Sequence, residues 1–447
     1  MTSDSTSAAD YGLLSPYWAG TAVASETGDA AVLRAVLDVE VALAAVQARL
    51  GLVPDAAAEA IRAAAAGLTL DAADLAGRAR RGGNPIIPLL ADLRAAVGPD
   101  AACFVHLGAT SQDILDTALM LVAQRSIRII SSDLGTAVAG LAALADSHRH
   151  TVMAGRTLTQ HSVPTTFGLK AAGWLMGVAD ARAFLTAVAA ALPSQLGGAA
   201  GTLASFAQLV PGHEFELVDS FADELGLQAP PIPWHTVRTP VARLADALVG
   251  SCDAAGKIGA DVSLLSRTEI GELHEATGGG SSAMPQKQNP VLSVLMQAAA
   301  RKAPGLGAEL HRSALAVDER PDGAWHVEWQ TLRELLRVTG GAASLAAELV
   351  SGLRVDAERM RENLGTTGPL IVSERIMLAV GSTLGRDRVR QLVADAANDP
   401  GSLRSALRAE LADWSDVALD ALLDPENYLG ASSELIDRTL RHVEQNG

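Results

Sequence analysis

Between about residues 29 and 50 the apolar positions Val32, Leu33, Val36, Leu37 and Val41 recur at helical spacing, and Gly51 stands where such a helix would stop. A second helix is predicted over 54–66. The run RGGNPIIPLL at 81–90 breaks the periodicity with two glycines and two prolines. A loop at 106–112 feeds a largely apolar helix from about 112 to 148, and further long helices are predicted near 164–191, 240–269, 288–310 and 325–352. Their apolar residues spread around much of the girth, which points to burial in a large bundle. Glycines at 197, 198 and 201 and a proline-rich stretch at 230–240 interrupt the pattern. Beyond about residue 355 the helices shorten and charge rises. The chain therefore reads as all-α, with an N-terminal helical domain at 1–105, a central long-helix bundle at 106–355 and a small C-terminal helical domain at 356–447.

Composition supports helices over sheets. Of the 447 residues 49% are hydrophobic and only 3% aromatic, and alanine is abundant. A net charge of −16 argues against nucleic acid or an anionic membrane as partner. It also gives weight to any local cluster of Arg, Lys and His. Cys103 and Cys252 cannot form a disulfide framework and lack metal-ligand spacing, and their surroundings predict buried free thiols. No run of about 20 apolar residues is evident, so no membrane span is expected. The polar, acidic start MTSDSTSAADYG does not read as a secretory signal, which predicts a cytoplasmic protein.

The densest chemistry lies at 278–290, GGGSSAMPQKQNP. Three glycines favour a mobile segment, and two prolines stiffen its far end. Ser281 or Ser282 could move a proton, Lys287 could neutralise developing negative charge, and Asn289 could hold an oxyanion. An ordinary Gly/Ser linker is the alternative. HLGATSQDILDT at 106–117 sets His106, Thr110, Ser111 and Asp113 at the start of the long helix. Thr110 or Ser111 suits a helix cap and Asp113 the first turn, yet the same free N–H groups and hydroxyls would bind a carboxylate. GRTLTQHSVPTTFG at 155–168 offers Arg156, Gln160 and His161, and arginine is the natural bidentate partner of a carboxylate. PWHTVR at 233–238 adds His235 and Arg238, and 315–329 adds Arg320 and His326 beside Trp325 and Trp329, whose spacing suits core anchors. Together these cationic and hydroxyl groups fit a small polycarboxylate substrate. No phosphate loop, dinucleotide fingerprint or metal-ligand spacing is present, so no cofactor is expected.

The run at 278–290 resembles the GSSxMPxKxNP loop of the fumarase/aspartase superfamily. HLGATSQDILDT and GRTLTQ resemble its two other substrate-binding regions, in the same order. The resemblance implies a three-domain, mostly helical subunit that forms a homotetramer, each active site drawing its three regions from three subunits. GGNPIIP, QLGGAAGTLA, PWHTVR and ERPDGAWHVEW are most like bacterial 3-carboxy-cis,cis-muconate cycloisomerases. By that resemblance Ser281 transfers the proton, Lys287 and Asn289 stabilise an enolate-like dianion, and Thr110, Ser111, Gln160 and Arg320 meet substrate carboxylates. One position departs: relatives that release an amine or hydroxide carry histidine where this chain has Leu158. Such leaving groups need a proton donor, and leucine is none. A carboxylate adding within one molecule needs little help, so the resemblance implies closure of 3-carboxy-cis,cis-muconate to 4-carboxymuconolactone. A fumarate-releasing lyase acting on a substituted succinate is the alternative. Nitrosuccinate fits that alternative better than adenylosuccinate, because nitrite also leaves without an acid. An inactive binding subunit is a third reading, which the intact Ser281, Lys287 and Asn289 oppose.

Overall fold

Five long helices dominate the computed structural model: Ser111–Ser147, Phe167–Ala190, Thr239–Leu265, Val291–Ser313 and Ala324–Gly352. The structure describes residues 11–276, 279–280, 284 and 287–446. The predicted first helix is Asp29–Arg49, ended by Leu50 and by Gly51 at φ +73. The second is Asp55–Gly67. The fold is all-α in its bulk; its strands form three two-stranded ladders among the described residues.

Three stretches differ from the expectation. Residues 160–166 are not the start of the helix predicted over 164–191. They pair with Val152–Thr157 as an antiparallel hairpin, and the helix begins at Phe167. Likewise Gln288–Asn289 is a strand and the following helix begins at Val291. The segment 81–90 is not a mere break either, because a helix spans Ile86–Val97. Asn84 Oδ1 accepts from the N–H groups of Ile86 (3.0 Å) and Ile87 (3.4 Å). Pro88 falls in the first turn, where a helix needs no donor from it.

Packing divides the chain into two compact units. One holds Met1–Asp133, Ala181–Gly256 and Ala298–Ser344; the other holds Leu134–Asp180, Lys257–Gln297 and Leu345–Gly447. In the first unit the N-terminal segment lies directly on the Ala324–Gly352 helix. A Cβ at Gly341 would stand 2.0 Å from the Tyr17 carbonyl oxygen, so only glycine permits that approach. In the second unit Val152 and Ala154 of the hairpin join a core built from residues between Leu364 and Leu422.

Ser111–Ser147 is long and apolar enough to cross a membrane by length and composition, a feature the sequence reading did not register. Its first turns, including Gln112, Asp113, Asp116 and Thr117, are buried in protein. Its most apolar 18-residue window is only 28% buried within the single chain. Beyond residue 130 its exposed positions are small or polar, among them Ser132, Thr136, Ala139 and Ala143.

The two thiols differ. Cys252 is buried, its Sγ 3.3 Å from Thr339 Oγ1, and burial pushes the thiol up to about 12. Cys103, expected to be buried, is exposed in the Ala102–Phe104 turn. Since the thiolate is the reactive species, iodoacetamide at pH 8 is expected to alkylate Cys103 alone in the native protein and both cysteines after unfolding. Mass spectrometry of the labelled peptides reads this directly, and labelling of native Cys252 would contradict the burial.

Candidate active site

In the first unit three loops converge on one carboxylate. Asp113 occupies the first turn of the Ser111–Ser147 helix. It accepts from the backbone N–H of Thr110 (3.0 Å), Gly197 (2.9 Å) and Gly198 (2.9 Å), and pairs with His235 Nε2 at 2.8 Å. The Thr110 bond is half of a capping box; the others tie the helix start to the glycine loop and to the 233–238 loop. Gln112 adds a bond from its Nε2 to the His235 carbonyl (2.9 Å). Thr117 and Gln195 fasten the same loops from below: the Gln195 N–H donates to Thr117 Oγ1 (2.8 Å) and the Trp234 N–H to Gln195 Oε1 (3.0 Å). A Cβ at Gly197 would meet Pro233 at 2.8 Å and His235 Cε1 at 2.9 Å, so the loop's small residues are a packing requirement.

Several predicted contacts surround this hub. Arg320 is exposed and donates to the Ala199 carbonyl of the glycine loop at 2.9 Å. His106 sits at φ +64 with its Nδ1 2.7 Å from Glu40 Oε1, a carboxylate with 1% exposure. The hydroxyls of Thr110 and Ser111 stand half-exposed at the helix N-terminus and hold no hydrogen bond to a described residue. Free hydroxyls beside free N–H groups suit a carboxylate.

His235 and Arg238 do not match their expected role. His235 is 3% exposed; its Nε2 pairs with Asp113, and its Nδ1 is buried without a hydrogen-bond partner. Arg238 is clamped between two buried carboxylates: Nη1 and Nη2 reach Asp116 at 2.7 and 3.1 Å, while Nε and Nη2 reach Glu328 at 3.0 and 2.5 Å. Its Nη1 also reaches the Trp234 carbonyl (3.2 Å), and Trp325 Nε1 donates to Asp116 (2.9 Å). No donor of this guanidinium faces solvent, so Arg238 joins helices instead of binding substrate. Burial opposes the Arg238 charge, yet Asp116 and Glu328 hold its pKa above the ordinary value. Burial pushes the Glu328 carboxyl up despite Arg238, and the Asp116 charge adds to that.

In the second unit the hairpin carries GRTLTQ. Thr157 pairs with Gln160 across a two-residue turn, Leu158 at φ +49 and Thr159 at φ +73. These are type I′ values, usually met by Asn-Gly. Leu158 is 96% exposed at the tip, and Gln160 is exposed beside it. Arg156 is held by Glu272 at 2.6 and 3.0 Å, and Asn363 Nδ2 supports the same carboxylate at 2.8 Å. The arginine expected to clamp substrate is thus already matched bidentately within the chain.

The last motif is anchored at its base. Gly279–Gly280 pairs antiparallel with Gln288–Asn289. Glu275 caps the next helix, accepting from the Leu292 N–H (3.0 Å) and from the Ser293 N–H (2.8 Å) and hydroxyl (2.6 Å). Asn289 is half-buried on the ribbon. Lys287 is exposed, and its ammonium has no acceptor among the described residues. Ser281 and Ser282 lie outside the described residues.

Sequence reasoning missed the buried acids Asp116, Glu272, Glu275 and Glu328, and left Asp113 open between a first-turn helix residue and part of a binding region. The available signal was a carboxylate on an otherwise apolar helix face, as in the pairs Asp113–Asp116 and Trp325–Glu328.

His161 has its Nδ1 2.8 Å from Thr367 Oγ1, and burial, aided by Arg156, lowers its pKa from the ordinary 6.5. A depressed histidine favours the neutral form in the fold. Its contribution is full above pH 6.5 and lost as pH falls through the lower folded value. The thermal midpoint is therefore expected to fall between pH 7.5 and 5, with a shallower slope in His161→Gln. An identical slope in the variant would remove His161 from the account.

A family model described as "Lyase" matches residues 21–305, and one described as "Adenylosuccinate lyase C-terminus" matches 369–439. The chain is 48% identical to nitrosuccinate lyase of Streptomyces davaonensis, covering 96% of this chain and 94% of that protein. It is 40% identical to 3-carboxy-cis,cis-muconate cycloisomerase of Bradyrhizobium diazoefficiens, covering 97% and 98%. The crystal structure of the 3-carboxy-cis,cis-muconate lactonizing enzyme from Pseudomonas putida superposes with a TM-score of 0.91 at 35% identity, covering 97% and 99%. With the anchored loop motif, the helix-start hydroxyls and the long-helix fold, these matches make the chain an enzyme of the fumarase/aspartase superfamily.

Proposed function

We propose that the protein is a cycloisomerase that closes 3-carboxy-cis,cis-muconate to 4-carboxymuconolactone. One substrate carboxylate attacks the alkene, and a C–O bond forms as the C=C π pair moves into a second carboxylate, giving an aci-carboxylate. Ser281 then delivers its proton to the carbon beside that carboxylate, and in reverse its alkoxide removes it. Such an alkoxide requires nearby positive charge, which Lys287 and loop N–H groups would supply. Asn289 would hold the dianion. Thr110, Ser111, Gln160 and Arg320 would meet the remaining carboxylates. No step uses a cofactor.

The observation that carries the reading is Leu158. An exposed, proton-inert side chain occupies the hairpin tip where amine-releasing relatives carry a histidine. The tip projects from its own chain, which fits a site completed by another subunit. The weakly buried apolar window of Ser111–Ser147 supports the same assembly, a homotetramer with sites shared by three subunits. The 48% identity to a nitrosuccinate lyase favours a second reading, expulsion of nitrite with release of fumarate. That reaction uses the same proton transfer and also needs no acid at 158. A parallel spectrophotometric assay with 3-carboxymuconate, nitrosuccinate and adenylosuccinate decides. Loss of muconate absorbance with the first alone supports the proposal; fumarate appearing from the second without turnover of the first replaces it.

A further inference from the structure

The chain has only four lysines, Lys170, Lys257, Lys287 and Lys302. In the second unit two of them compete for one carboxylate. Asp261 accepts from Lys257 Nζ at 2.7 and 2.6 Å and from Trp174 Nε1 at 2.8 Å. Lys170 stands one turn before Trp174 on the Phe167–Ala190 helix, and its Nζ is left 4.0 Å from the same Asp261 Oδ2. Among the described residues nothing accepts a hydrogen bond from this ammonium, and the side chain is 29% exposed. The charges that face it are Asp261 and Lys257 from the Thr239–Leu265 helix, Arg156 from the hairpin, and Glu272. Arg156 and Glu272 answer each other, as do Lys257 and Asp261, so Lys170 is the surplus cation. Burial lowers its pKa from the ordinary 10.5; Asp261 opposes this, and Lys257 and Arg156 add to it. Desolvation beside a second cation is what turns a lysine into a nucleophile.

We infer that Lys170 is a covalent modification site, an amine acylated by small acyl phosphates without a further enzyme. Its nitrogen lone pair attacks the acyl carbon and forms a C–N bond. The bond from that carbon to the bridging oxygen breaks with its electron pair, and phosphate leaves carrying the amine proton. The product suits the place. An amide has no charge, so acylation relieves the crowding of Lys170 against Lys257 and leaves Asp261 to Lys257 and Trp174. A carbamate would instead set a second anion beside Asp261, and an imine would keep a basic nitrogen beside Lys257. The inference does not depend on which reaction the enzyme performs.

Timed treatment of the intact protein with acetyl phosphate at pH 8, read lysine by lysine by peptide mass spectrometry, tests it. Lys287 is the reference, being the more exposed and without an acceptor among the described residues. Lys170 is expected to acetylate about threefold or more faster than Lys287, because lowering an amine's pKa enlarges its neutral fraction. Lys257→Met removes the competing cation and gives Asp261 to Lys170, so Lys170 should slow by about threefold or more. Lys257→Arg keeps the cation and should keep the native rate. The Lys257 side chain is 64% exposed, so neither exchange should move the thermal midpoint. A lysine that is merely accessible would respond to neither. The inference is overturned by Lys287 reacting first, by Lys170 staying unmodified, by a Lys170 rate that Lys257→Met leaves unchanged, or by equal slowing in Lys257→Arg.

Discussion

Ser281→Ala is expected to lower kcat by about 10²–10⁴-fold, the range for loss of a positioned proton-transfer group, with KM, thermal midpoint and oligomeric state little changed. The prediction rests on how the loop is held. Gly280 pairs with Gln288, and Glu275 fixes the helix that follows. Ser282→Ala should cost far less, because the resemblance assigns proton transfer to the first serine. The two variants separate the alternatives left open by the adjacent pair. Exchange of the product's carbon-bound hydrogen with deuterated solvent gives a second readout, which Ser281→Ala should abolish even under forcing enzyme concentration. Ser281→Ala retaining activity within about tenfold of the native enzyme would remove this serine from the mechanism, whichever substrate is turned over.

The long helices were legible because a 3.6-residue apolar period sustained over 20 or more residues has few competing explanations. The hairpin at 152–166 was not, for two physical reasons. Its strands are short, and its turn uses Leu158-Thr159, where positive φ is normally announced by Asn-Gly. Pro85 and Pro88 looked like breakers because proline ends most helices, yet in a first turn it removes nothing. The site divides the same way. Hydroxyls and cations in glycine- or proline-flanked segments drew attention by type, and Thr110, Ser111, Lys287, Gln160 and Arg320 do stand exposed or half-exposed. Whether a cation is free or already paired cannot be read along the chain. Arg156 and Arg238 are matched by Glu272, and by Asp116 and Glu328, at separations of 116, 122 and 90 residues.

That pairing leads to the largest stability effect expected. Arg238→Met should destabilise the protein by about 3–5 kcal/mol, the cost of leaving a buried charge without its partner. Here the variant leaves two carboxylates, Asp116 and Glu328, facing one another at 0% and 3% exposure. The sign of its pH dependence follows from Glu328. Burial already raises that carboxyl above 4.5 in the native protein, so the fold favours its protonated form, and its contribution is present at low pH and lost as pH rises through the raised value. Without Arg238 the rise is larger, and the penalty should be greatest near neutrality and shrink as pH falls toward 4.5. Adding Glu328→Gln to Arg238→Met should restore part of the loss, since the amide needs no counter-charge. Activity should fall with stability, because Arg238 also fixes the loop that sets His235 on Asp113 and thereby the helix start with its two hydroxyls. Arg238→Lys separates this from the substrate-binding role first expected of the residue. A lysine cannot reproduce the fork between two carboxylates, so a structural arginine predicts a lower denaturant midpoint. A substrate contact predicts instead a raised KM at unchanged midpoint, and that result would return Arg238 to the binding site.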